Sequence, residues 1–247
     1  VVIGGVLCKA PIARDLRAAT MSAKGDFPDA LKWTRIRRGN YLRYERLIDQ
    51  FFDFNKEHLV DFHAAVVKTS DTDHATFNDG DSELGFNKFV IQHLFAFKRN
   101  MGKSGRIRHL YANRNSRHDL GKFNEYLNGM GRARFGKDCS PCLSVDHIDY
   151  REEPVFWISD ILIGAIGASL NGRLGANSPK ERMADHIRRR ACLLSLTEES
   201  PIDKRHFKIW HIKLSKGPQG PSHNSVAVSG STQPFGPRGY LDYRKKL

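Results

Sequence analysis

Six apolar or aromatic residues, Tyr41, Tyr44, Leu47, Ile48, Phe51 and Phe52, recur at helical spacing through "NYLRYERLIDQFFDF", with Asn40 placed as a candidate cap. The pattern predicts a core-facing helix. "ARDLRAATMSAKG" reads as a helix broken by "GDFP", and "SELGFNKFVIQHLFAFKRN" as a long helix starting at Asp81 or Ser82. "DLGKFNEYLNGMG" reads as a helix ended by glycine, "PVFWISDILIGAIGASL" as one with Pro154 in or beside its first turn, and "KERMADHIRRRACLLSL" as a last helix. Continuous or β-branched apolar runs predict strands at "VVIGGVL", "VDFHAAVVKTS", "RIRHLYAN", "CLSVDHIDY" and "HFKIWHIKL", with "LKWTRI" as a short extended piece. Strands alternating with helices predict a layered α/β domain with a mixed sheet flanked by helices. After Lys216 the chain turns rich in Gly, Pro and Ser without periodicity, which divides it into a domain over 1–215 and an irregular tail over 216–247.

One position breaks the apolar pattern. "FWISDILIGAIG" carries a single carboxylate, Asp160, in a run that is otherwise built for burial. An unpaired buried carboxylate is costly, so Asp160 needs a partner, a cleft or a chemical role. At 3.6 residues per turn it shares a face with Gly164 and with Gly167 or Ala168, and Trp157 sits one turn earlier. Small residues beside a carboxylate leave room for another element, or a substrate backbone, to approach.

Charge narrows the choice of partner. Forty Lys and Arg against 27 Asp and Glu give a net charge of +13. Between Arg99 and Lys137 lie ten basic residues, among them Arg106, Arg108, Arg114, Arg117, Arg132 and Arg134, and two acidic ones. Arg188, Arg189 and Arg190 form a second cluster. Such clusters draw polyanions such as nucleic acid, or are simply solvated basic surface. Four cysteines are too few for a disulfide scaffold, and "CSPC" has no second pair at zinc-finger spacing, so ordinary thiols are the expectation. No apolar run reaches membrane-spanning length, which sets a cytoplasmic protein with no membrane partner as the expectation.

Further carboxylates offer themselves. Asp79, Asp81 and Glu83 cluster before a helix, where Asp81 suits a cap and Glu83 could reach a cleft. Asp146 and Asp149 stand three apart on a strand-like run, so at most one of them faces a site shared with Asp160; His147 between them is a candidate base or a surface histidine. In "HLYANRNSRHD", Asn113 ends a strand, and Arg114 and Arg117 could clamp phosphate.

Taken in order, "VVIGGVL", "LKWTRI", "FHAAVVKT", "DSELGFNKFVIQHL", "HLYANRNSR", "WISDILIGAIGASL" and "FKIWHIKL" resemble the bacterial and phage family known as domain of unknown function 3800. That resemblance implies an RNase H-like fold and a metal-dependent nuclease hydrolysing DNA or RNA phosphodiesters with Mg2+ or Mn2+. It implies Asp160 as a metal ligand; Glu83, Asp81, Asp146 or Asp149 could compensate for the carboxylates the chain lacks, with Glu83 the candidate second ligand and Asp146 a further catalytic candidate, and Lys32 joins the basic residues above as candidate nucleic-acid contacts. The chain departs from the family at several points. The family's first strand, ending Asp–Glu–Ser–Gly, would precede Val1, so either the sequence is a fragment or the protein dispenses with that ligand. Ala30 stands where the family has Glu, and Asn113 where it has Asp. Whether the chain is an enzyme therefore stays open. The alternative is a degenerate relative that binds nucleic acid, or that assembles with a protein partner or a second copy through the 216–247 tail.

Overall fold

The computed structural model describes residues 1–68, 70, 82–101, 105–112 and 120–213, with backbone alone at 82–84 and 98–101. Among the described residues, five strands, β1 (Val2–Cys8), β2 (Val60–Val67), β3 (Ile107–Ala112), β4 (Cys142–Ile148) and β5 (Phe207–Ile212), are joined by six α-helices. These are α1 (Ala10–Lys24), α2 (Tyr41–Lys56), α3 (Ser82–Met101), α4 (Leu120–Phe135), α5 (Val155–Leu170) and α6 (Pro179–Arg190). The architecture is α/β, with helices flanking sheet. Its described strands form two sheets, a three-stranded one ordered β1-β2-β5 and a two-stranded one of β3 and β4, where the sequence predicts a single mixed sheet.

The chain divides into two compact units. The first comprises the described residues of Val1–Val66, His109–Arg117 and Asp146–Trp210, and the second those of Val67–Arg108, His118–Val145 and His211–Leu247. In the first, β1 runs antiparallel to β2 with Gly4 opposite Ala64. The central position of β2 explains its pattern, because all eight of its residues are buried, Asp61 and His63 included. Helix α5 packs on β1, and a Cβ at Gly4 would stand 2.9 Å from Ile163 Cγ1, so the glycine is what lets the helix approach. Helix α5 is apolar on every side and accordingly buried, with Trp157, Ile158, Ile161, Leu162, Ala165 and Ile166 in the core. The aromatic stripe of α2 joins the same core as predicted.

Several boundaries differ from those the pattern predicts. The α4 helix runs through Gly129 and Gly131 to Phe135, and Gly136, at φ +110°, ends it. Gly131 is there for packing: a Cβ on it would lie 2.4 Å from Pro141. The last helix stops at Arg190, because Cys192 takes a left-handed conformation (φ +52°) and the Leu193 N–H turns back to the Arg188 carbonyl at 3.0 Å. The same closing motif ends α2 at His58 and α5 at Gly172. Asn40 sits at the start of α2 without capping it. Its side chain accepts from the Arg37 N–H and donates to the Arg35 carbonyl, fixing the turn in front of the helix. Strand β4 ends at Ile148, so Asp149 lies in the following turn, where it binds Arg151 through two side-chain bonds.

Candidate functional site around Asp160

Asp160 lies one turn into α5 and is half-buried. Its Oδ2 accepts a hydrogen bond of 2.7 Å from the backbone N–H of Trp33. The stretch predicted to be extended is a 3-10 turn, Trp33–Arg35, and this bond explains why. Trp33 has to aim its N–H at the carboxylate while its ring enters the notch over Gly164, where a Cβ would stand 2.2 Å from the indole Cγ. The small residues beside Asp160 thus admit another element of the same chain.

Neighbouring residues hold this turn by its backbone. The Tyr150 hydroxyl donates to the Leu31 carbonyl at 2.8 Å, and the Lys32 N–H donates to the Tyr44 hydroxyl at 3.3 Å. Trp157 donates its indole N–H to the Tyr150 carbonyl at 2.9 Å, tying the tyrosine to α5. Burial pushes the Asp160 carboxyl above the usual carboxylate range, while the Trp33 N–H and the Lys32 cation pull it down. Burial also raises the Tyr150 phenol far above its ordinary value, with Asp160 and Tyr44 adding to it, so Tyr150 stays a neutral donor.

The other sequence candidates fall on several elements. The Lys32 ammonium lies 4.5 Å from the centre of the Tyr150 ring, which places it against the site rather than away from it. Ala30 packs against the core and brings no donor to the carboxylate. Asp146 is half-buried on β4 and His147 exposed beside it. Glu83 falls in the first turn of α3, in the second unit. Asp81, Asn113, Arg114, Arg117 and the 216–247 tail lie outside the described residues. Of the basic candidates, Arg106 donates to the Ser140 carbonyl, Arg132 reaches Ser140 Oγ at 3.4 Å, and Arg134 lies over the rings of Phe95 and Phe135. Arg108 is exposed on β3. The Arg188–Arg190 cluster is engaged in ion pairs. Arg188 and Arg189 pair with Asp185, and Arg190 with Asp49 and Asp53, so acidic neighbours already balance it.

Among the described residues, no three His, Cys, Asp or Glu side chains gather to hold a metal ion. Mg2+ takes several oxygen ligands. The described neighbours of Asp160 supply an N–H donor and an ammonium group, which do not make such a donor set. All four cysteines are free thiols, and burial pushes the Cys8 thiol up to about 11. No described helix is long and apolar enough to cross a membrane. Sequence reasoning missed Tyr44 and Tyr150, which packing alone brings to the turn, and Arg35, Arg37 and Arg38, whose signal was the basic run "RIRRGN". Comparison with known proteins finds no matching family model, no matching curated relative and no matching solved structure.

Proposed function

We propose that this chain is a nucleic-acid-binding protein, a non-cleaving relative of the RNase H-like nucleases its sequence resembles. The observation that carries the reading is the state of Asp160. Its carboxylate holds the Trp33 backbone and faces Lys32, and among the described residues the groups that shift it include no second carboxylate. In-line phosphodiester hydrolysis with two ions needs several carboxylates around one point. On this reading the β1-β2-β5 sheet, with α5 packed on it, is the remnant of an RNase H-like core, and the catalytic carboxylate has become a structural anchor. The chain's charge of +13 supplies affinity for phosphate backbones.

The test is a pair of assays on labelled single-stranded RNA, single-stranded DNA and duplex DNA. Binding is expected to weaken steeply with rising salt, and no cleavage is expected with Mg2+ or Mn2+. Cleavage that Asp160→Asn abolishes would establish the nuclease reading and end this one. Binding insensitive to salt, or no binding, would remove nucleic acid as the ligand.

A further inference from the structure

We infer that the exposed turn at Arg35–Arg38, with the start of α6 beside it, is a phosphate-backbone contact surface for nucleic acid; this rests on the binding function proposed above. Four cations stand within seven residues: Lys32, Arg35, Arg37 and Arg38. The backbone that carries them is fixed from inside, by Asp160 at Trp33, Tyr150 at Leu31 and Tyr44 at Lys32. From outside, Asn40 ties Arg35 to Arg37. Arg37 is itself pre-set. Its Nη1 donates at 2.9 Å to the carbonyls of both Thr34 and Ile36, which leaves the opposite edge of the guanidinium facing outward. The Arg38 side chain is exposed and has no hydrogen bond or ion pair among the described residues, and at Gly39 an added Cβ would meet nothing within 4 Å.

Two residues of α6 extend the surface. Lys180 lies 5.9 Å from the centre of the Trp33 ring, and the Arg182 guanidinium 4.6 Å from that of Tyr41. Both rings flank the arginine turn in sequence, so the α6 cations are brought to its two ends. Of the acidic groups nearby, Asp160 and Asp149 act on Lys32. Asp29 pairs with Arg35 at 2.7 Å, Glu45 acts on the Tyr41 phenol, and Glu181 accepts from the Asn177 N–H inside the α6 cap. None of them reaches Arg37 or Arg38 among the described contacts.

The chemistry selects a polymer of phosphates. Arginine forks match phosphate oxygens, and cations in succession along one turn match a ligand with a charge at every step. Trp33 is buried and Tyr41 carries Arg182 on its face, so neither ring is offered to a base. The contacts therefore position a backbone and carry no sequence preference.

Binding of a fluorescent single-stranded RNA to the full chain, measured against salt, tests this with Arg37→Gln/Arg38→Gln beside wild type. The double variant is expected to weaken binding and to lower the slope of log K against log salt by roughly 0.7–0.9 for each phosphate left unneutralised. Arg38→Gln alone removes no internal bond, so it retains the test if Arg37→Gln loosens the turn. Wild-type binding with both variants unchanged in affinity and slope overturns this inference and leaves the proposed function standing. No wild-type binding ends both. Displacement by polyglutamate as effective as by unlabelled RNA overturns it in favour of an acidic protein partner.

Discussion

Asp160 and the N–H it holds can be separated by substitution. In Asp160→Asn the amide oxygen still accepts from Trp33, and the burial cost of a charge is gone. In Asp160→Ala the Trp33 N–H loses its partner, a loss of about 1–3 kcal/mol. Urea denaturation at neutral pH is expected to place Asp160→Asn at or above wild type and Asp160→Ala below it. A wild-type-like Asp160→Ala would mean that the anchor has no weight. What made the residue legible in the sequence was its isolation in an apolar run; what did not show was its partner, which lies 127 positions earlier along the chain. Periodicity reports which residues face a core, and says nothing of which backbone group meets them there. For the same reason the 3-10 turn at Trp33 looks extended in the sequence.

At the scale of elements, the strands keep two histidines neutral. Burial holds His63, on central β2, down at about 4, and His109, on β3, also at about 4, against an ordinary value near 6.5. His63 points its Nε2 at the Arg205 carbonyl at 2.8 Å, which requires a proton on Nε2; burial, against the pull of that bond, is what keeps the ring neutral. A histidine depressed in the folded state contributes its full stability above the unfolded value. The contribution is lost as pH falls, because the unfolded chain takes the proton first. Between pH 6.5 and about 4, stability is expected to decline by roughly 1.4 kcal/mol per pH unit for each of the two. Asp160, raised rather than lowered, works in the opposite sense above the ordinary carboxylate range. Urea midpoints across this window check it: His109→Gln should flatten the curve, and an unchanged slope would contradict the assignment. Element positions were readable because the apolar spacing in α2 is unambiguous and the apolar run of α5 is too long for a strand. Their ends were less so, since Gly131 serves packing against Pro141 and Cys192 takes a left-handed turn usually given to glycine.

For the whole molecule, a count of charges was legible and their pairing was not. Arg188–Arg190 and "RIRRGN" look alike in sequence, yet three aspartates balance the first, while in the second Asp29 pairs with Arg35 and Arg38 has no ion pair among the described residues. Residues that carry no chemistry of their own make the difference, because α2 and α6 bring Asp49, Asp53 and Asp185 to one cluster. A last consequence concerns the chain before it has folded. Helix α5 is a sixteen-residue segment in which Asp160 is the single charge, so an unfolded molecule exposes a long adhesive stretch with one gatekeeper. The substitution that relieves the folded protein, Asp160→Asn, removes that gatekeeper. It is expected to raise turbidity on dilution from urea above that of wild type, and equal turbidity would show that aggregation begins elsewhere. The carboxylate that costs stability in the native state is then kept for the solubility of the states that precede it.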